Sequence, residues 1–321
     1  MLAYLIRRIG YGGLVVLGVL FFLFSLFFLV TTPDDIARRA VGDKAMPQVI
    51  ERWKVNHGYD RPLWPGVEHP RDNLLVDHFE KMLTFDFGKS DADGVPLSRR
   101  IREGALPSLL LTTPMFVLGV LLAIGISLVV ALFRESYLDR LGVFWSVLGM
   151  SVPLVIYIIA GQFVFGRLLR WFPISGFDWD PQVLWRFLAM PVVIGLLAGL
   201  GSDVRFFRTV FIEEINRDYV RTARAKGAGE LRVLGAHVLR NALIPVLTNV
   251  VMAIPFLFTG SLLLEAAFGI PGLGSLTVEA INANDFATLR AMVFLDSLIL
   301  IGGQILTDLS YTWVDPRVRL D

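Results

Sequence analysis

The tripeptide Gly88-Lys89-Ser90 is the first place in this 321-residue sequence where side chains of a chemically suggestive type stand together. In a phosphate-binding loop the lysine reaches the phosphates, the serine holds magnesium, and a glycine five residues before the one preceding the lysine lets the backbone wrap the anion. Leu83 occupies that position, so the cradle is not encoded. Of the four histidines (His57, His69, His78, His237), none forms the HExxH spacing of a zinc hydrolase. The absence of cysteine excludes disulfides, thiolate metal sites and thiol nucleophiles. There is no GxSxG. Asp178 and Asp180 lie on a loop and read as solvated charges rather than an acid–base pair. The residues therefore point to a protein that is not an enzyme and has no metal site. A net charge of +1 gives no electrostatic case for nucleic acid. One titratable group stands out by context: Asp296, inside the apolar stretch Ala291 to Trp313. The nine Leu, Ile, Val and Phe residues from Ala291 to Thr307 favour insertion by about 3–5 kcal/mol, and the aspartate opposes it by about 3. Such a carboxylate faces other protein or a water-filled path, either as part of a pathway or as a buried hydrogen-bonding group.

The elements that must hold these residues are hydrophobic columns. The chain is 55% hydrophobic, and the apolar residues gather in blocks separated by charged stretches. Ile9 to Pro33 runs 25 positions without a charge, sixteen of them Leu, Ile, Val or Phe, enough to cross a bilayer. A cleaved signal peptide would have a shorter apolar region and a small-residue cleavage site, which Val30-Thr31-Thr32-Pro33 does not supply. Leu106 to Phe133, Leu141 to Gly166 (broken at Pro153), Phe187 to Ser202 (continuing past Asp203 toward Phe207), Ala242 to Leu264 and Ala291 to Trp313 follow. The expected fold class is an all-α membrane protein with six transmembrane helices and a small outer subdomain between helices 1 and 2. The boundaries are 1–31 for the N-terminal tail and first helix, 32–105 for the outer subdomain, 106–314 for the remaining transmembrane domain and 315–321 for the tail. The transmembrane domain includes a polar loop, 205–241.

Basic residues in short loops set orientation. With both termini in the cytoplasm, inner segments hold fourteen Lys and Arg, eight of them between Arg205 and Arg240. The short outer loops hold four: Arg167, Arg170, Arg186 and Arg290. The 74 residues from Thr32 to Ala105 are too long for the rule and are left out of the count. This segment carries Trp53, Trp64, Phe79, Phe85 and Phe87, a composition that packs rather than tethers. Val95 to Glu103 reads as an amphipathic interfacial helix ahead of the second span, or as a solvated one.

The 205–241 loop contains Asp218-Tyr219-Val220-Arg221-Thr222-Ala223-Arg224-Ala225-Lys226-Gly227-Ala228-Gly229 and, further on, His237 to Pro245. It predicts a helix, a glycine turn and a second helix. This stretch resembles the EAA loop of ABC importer permeases, in the form seen in dipeptide and oligopeptide permeases. Ala223 and Gly227 fall on the matching alanine and glycine. Arg221-Thr222 stand where Glu-Ala would be, and the distance from Gly227 to Pro245 exceeds that of the sugar-permease form, two departures usual in peptide permeases. Phe268-Gly269-Ile270-Pro271-Gly272-Leu273-Gly274 is similar to the FGIPGLG signature of the same family, and Pro271-Gly272 suits the centre of a turn with a positive φ. Asp315-Pro316-Arg317-Val318-Arg319 looks like its DPR ending. Asp77 to Ser90 and Leu97 to Leu111 also look familial, and the long first outer loop matches the first of the paired permeases.

The resemblance implies a type I ABC importer permease fold in a bacterial inner membrane, taking up peptides or related small solutes. It implies a second permease subunit that is a different chain, two ATPase subunits docking on the loop around Ala223, Arg224, Lys226 and Gly227, and an extracytoplasmic solute-binding protein. It implies no cofactor in this chain, ATP and magnesium belonging to the ATPases. Arg221, Arg224 and Lys226 are open to three readings: ATPase contacts, headgroup contacts with membrane lipid, or ordinary positive-inside bias. Two other classes remain open, a secondary transporter and a membrane scaffold that moves nothing. The first would place functional charges or broken helices near the midplane of both halves, and only Asp296 qualifies.

Overall fold

The computed structural model describes the backbone of residues 2–42, 44–66 and 70–314. The DPR ending lies outside the described residues. Among the described residues the architecture is all helical apart from one isolated antiparallel bridge, Lys89 to Pro96. Helices α1 (Leu2–Phe24), α2 (Pro33–Val41), α3 (Pro47–His57) and α4 (Leu74–Leu83) precede the long α5 (Leu97–Leu132). Then come α6 (Tyr137–Ser151), α7 (Leu154–Gly161), α8 (Pro181–Ile215), α9 (Asp218–Ala225), α10 (Glu230–Arg232), α11 (Arg240–Ala253) and α12 (Pro255–Thr259). The chain closes with α13 (Leu262–Phe268), α14 (Leu273–Ala283) and α15 (Phe286–Val314). Three π-helical stretches, Ser25–Val30, Gln162–Leu168 and Val233–Leu239, extend α1, extend α7 and join α10 to α11.

Among the described residues five helical runs are long and apolar enough to span a membrane: Ile6–Val30, Leu97–Leu132, Pro181–Ile215, Glu230–Thr259 and Phe286–Asp308. The sixth expected span is the bent pair Tyr137–Ser151 and Leu154–Leu168, turned by 94°. Val152 is extended (φ −95°, ψ 121°) because a residue before proline is driven out of the helical region, and Pro153 starts the next helix. The Tyr157 hydroxyl donates to the Gly149 carbonyl at 3.0 Å and braces the bend.

Several sequence-based boundaries differ. Val95 to Glu103 is not a separate interfacial helix: α5 runs without a break from Leu97, which is fully buried, through Leu132. Span five ends at Thr259 rather than Leu264 because Gly260 takes φ +73°, ψ −178°, a conformation closed to residues with a Cβ. Arg290 belongs not to an outer loop but to α15, where it is buried.

Two compact units divide the chain. Of the described residues, one gathers those up to Pro107 and Pro271–Gly302, the other Ser108–Ile270 and the rest of α15 from Gly303. In the first unit, Leu20, Leu23, Phe24 and Phe28 of α1 and its extension form a core with Tyr59, Leu74, Phe87 and the α15 residues Ala291 and Phe294. The segment between α1 and α5 thus borrows its core from two long helices. This suits a 74-residue stretch too small to bury enough apolar surface alone. In the second unit α8 packs on α6, where Gly201 lets the backbones approach (a Cβ there would lie 2.6 Å from the Ser146 carbonyl oxygen). Arg208 of α8 donates to both carboxylate oxygens of Asp139 on α6 at 2.7 and 2.9 Å.

Candidate functional site

The segment between α8 and α11 is built on Val220 and Ala223, the two residues of α9 that are buried, three positions apart on one face. They pack into a core with Phe207 and Phe211 of α8 and with Val233, Leu234 and Val238. The helix stops at Gly227, whose φ of +80° is reached cheaply only by glycine. The Gly227 N–H donates to the Arg224 carbonyl at 2.9 Å and the Ala228 N–H to that of Ala223 at 3.2 Å. Gly229 then caps α10. No atom lies within 4 Å of a Cβ built on Gly227, so the constraint is conformational rather than steric.

The charged residues around the turn face outward. Asp218, Arg221, Thr222, Arg224, Lys226 and Glu230 are exposed. Arg224 forks onto Glu230 at 2.9 and 3.0 Å across the turn, and Arg221 lies 3.6 Å from Asp218. Tyr219, whose hydroxyl donates to Glu214, has its phenol pushed up to about 12, by burial first and then by that carboxylate. Leu231 is 84% exposed among these charges. The expected residues separate into two roles: Ala223 seats the helix from beneath, and Arg224, Lys226 and Gly227 form the outer face. Leu231 gives no signal in the sequence, because a single leucine next to a charged run has no periodicity.

In the FGIPGLG stretch the turn is displaced from its expected place. The left-handed residue is Gly269 (φ +65°), which ends α13. Gly272 is extended (φ −103°, ψ −176°) and caps α14. Pro271-Gly272 is therefore not the centre of a positive-φ turn, because a helix start needs an extended cap at that point. The Gly272 carbonyl accepts from the Leu276 N–H at 3.0 Å and the Ser275 hydroxyl at 2.9 Å, and Gly274 is buried in the first turn of α14. On α13, the fully buried Glu265 accepts from the Ser108 hydroxyl at 2.8 Å and from the Ser261 N–H at 3.0 Å.

Gly88-Lys89-Ser90 proves to be half of a joint. Ser90 donates to Asp285 at 2.6 Å, and the same carboxylate accepts the Thr288 hydroxyl at 2.6 Å, the Thr288 N–H at 3.0 Å and the Asp91 N–H at 3.1 Å. Asp91 accepts the Ala287 N–H at 2.9 Å and the Tyr59 hydroxyl at 3.1 Å. Two carboxylates thus meet the open amides at the start of α15, where the helix dipole favours negative charge. Arg290, one turn on, donates to the Tyr59 hydroxyl at 2.7 Å and lies 4.7 Å over the Phe28 ring. Burial raises the Asp91 carboxyl and drives the phenol of Tyr59 above its ordinary range. His78 is pushed down to about 3, by burial first and by Arg290 second, so its ring is neutral. Its Nε2 is 3.1 Å from the Leu20 carbonyl and donates to it.

Asp296 is half-buried in α15 and makes no hydrogen bond or ion pair among the described residues. A second carboxylate in an apolar helix, Asp203 of α8, lines a cavity of about 330 Å³ together with residues of α5, α11 and α12. The sequence already carries this span past Asp203 toward Phe207, and α8 runs on to Ile215.

Comparison with known proteins bears on the whole length. Residues 123–320 match the family described as binding-protein-dependent transport system inner membrane component, and residues 1–84 match its N-terminal partner family. A putative peptide transport system permease protein of Brucella abortus (strain 2308) is 33% identical over 324 residues, covering 100% of both chains. The glutathione transport system permease protein GsiC of Salmonella typhimurium (strain LT2) is 33% identical over 321 residues, covering 99% of each.

Proposed function

The chain belongs to the binding-protein-dependent transport system inner membrane component family and is a multi-pass membrane permease component of such a system. From that premise we propose that it forms half of the translocation pathway of an ATP-driven importer for peptides or related small solutes. A second, different permease chain completes the pathway. Two ATPase subunits, which bind the ATP and magnesium, dock on the 205–241 loop, and an outer solute-binding protein delivers cargo. Both termini and this loop lie in the cytoplasm, and 32–105 lies outside. Relatives named for peptide and glutathione transport support the solute class.

The observation that carries the docking assignment is the division of the loop into a seated underside and an unburied face. Val220 and Ala223 join α9 to the core of the spans, so a push on α9 reaches α8 and α11 through packed side chains. Leu231, exposed beside a groove lined by Tyr219, Lys226, Gly227 and Arg232, is an apolar contact that this chain does not cover. Energy from nucleotide-driven closure enters through this element and shifts the spans between two arrangements.

Leu231→Asp tests the assignment because it touches no core residue. The expected result is at least a tenfold loss of ATPase co-purification and of solute uptake, with normal amounts of folded permease in the membrane. Normal co-purification would move the docking site elsewhere. Ala223→Glu is the weaker test, because a buried methyl replaced by a carboxylate damages the loop itself.

A further inference from the structure

The cavity lined by Asp203 is framed by helices of one unit. Gly195 and Gly199 precede Asp203 at four-residue intervals on one face of α8, Gly119 faces it from α5, and Asn249 lies on α11. Small residues at these positions leave volume that larger ones would fill. At about 330 Å³ the space lies at the lower end of the range for small-molecule sites.

Its polar complement is unbalanced. Thr112 has committed its proton, donating to the carbonyls of Ser108 at 2.8 Å and Leu257 at 2.9 Å, and offers only its oxygen lone pair. The side chains of Asp203 and Asn249 make no hydrogen bond or ion pair among the described residues. The nearby cations on α8 do not answer Asp203: Arg208 is held by Asp139, and Arg205 is exposed. An aspartate in an apolar helix is costly unless it meets water, a cation or a donor, and it marks a route for a polar solute. The lining offers one charge, the Asp203 carboxylate, together with the Thr112 oxygen and the neutral Asn249 and Ser261 side chains, and no side-chain cation. Such a set takes a compact donor-rich cation, whereas a carboxylate solute would be repelled.

We propose that Asp203, with Asn249 and Thr112, forms a transit site for the ammonium group of the solute, such as the free α-amino end of a short peptide. The apolar walls from Met115, Phe116 and Leu196 accept its uncharged part. The proposal rests on the permease reading above and adds which chemical group of the cargo this chain recognises.

The absence of native cysteine makes the site directly testable. Ala253, which lines the cavity from α11, becomes a single reporter as Ala253→Cys in the assembled complex, with modification of this chain followed by mass. A methanethiosulfonate reagent bearing an ammonium should be preferred over its sulfonate analogue at least about tenfold more strongly than the same pair is by a free thiol in solution. That excess should vanish when Asp203→Asn is added and be retained with Asp203→Glu. Millimolar dialanine should slow the labelling, and N-acetyl-dialanine should not.

Three results overturn the proposal. An excess unchanged by Asp203→Asn would mean the carboxylate is already paired, for example with a cation of the second permease. Equal protection by both peptides would remove the ammonium from the recognised groups. A cysteine inert to both reagents would mean another chain seals the cavity. None of these readings depends on transport, so they separate from a failure of the permease assignment, which would appear as a wild-type complex that takes up no solute.

Discussion

The joint at the start of α15 and the loop around Gly227 are both rich in charge, yet they use it in opposite ways. At Asp285 one carboxylate, 1% exposed, accepts four hydrogen bonds from Ser90, Asp91 and Thr288, and Arg290 is sealed between Phe28 and Tyr59. At the loop, Arg224 and Glu230 meet with 40% and 53% of their side chains in solvent. A buried carboxylate with four donors fixes one arrangement, because any rearrangement strands a desolvated group. Exposed pairs contribute little and exchange partners readily. The contrast suits a part that holds its shape and, on the proposed function, a part that a partner grips.

The largest break in this comparison is Asp285→Ala. It leaves four buried donors without an acceptor and should lower the stability of the detergent-solubilised protein by about 3 kcal/mol or more, read as a fall in thermal midpoint. Asp285→Asn keeps the shape and some acceptors and should lose less. Acid probes the same joint through His78. With a folded value of about 3 against an ordinary value near 6.5, the unfolded chain binds a proton that the folded chain refuses as pH falls between those limits. Stability is therefore intact above about pH 6.5 and lost progressively below it, by about 2 kcal/mol at pH 5. His78→Gln should flatten that slope, and limited proteolysis of the segment between α1 and α5 at pH 7.5 and pH 5 would measure it.

On the loop the effects shrink. Gly227→Val forces a β-branched residue to φ +80°, which should cost about 1–2 kcal/mol locally. It should displace the α9–α10 turn and so reduce ATPase co-purification while the spans remain folded. Arg224→Ala removes an exposed ion pair and should change the stability by less than about 0.5 kcal/mol. A destabilisation as large as that of Asp285→Ala would erase the distinction between the two regions.

Much of the frame is legible in local sequence. A run of 25 uncharged residues, a proline in a long apolar block and a glycine after an Arg-rich helix each act on their own neighbours, and α1, the bend at Pro153 and the turn at Gly227 follow. Ser90 is different: its partner lies 195 residues away, and only the fold turns a Gly-Lys-Ser tripeptide into the lock on α15. Arg290 resembles a loop cation in the sequence because positive charge beside a span ordinarily faces water, whereas Phe28 and Tyr59 provide a buried seat for it.

Asp203 and Asp296 show where the division falls. Each interrupts an apolar helix, and hydropathy, which sums along the chain, does not distinguish them. Whether such a carboxylate lines a cavity depends on which residues of other helices leave space beside it. For Asp203 these are Gly119 on α5 and Asn249 on α11, and that is a property of packing. The number of apolar columns and the places where they turn follow from the order of residues alone, because transfer energy and backbone freedom belong to individual residues. Which charges are sealed, which are offered and which face an open space is settled only when the helices pack, because burial is set by neighbours distant in the chain.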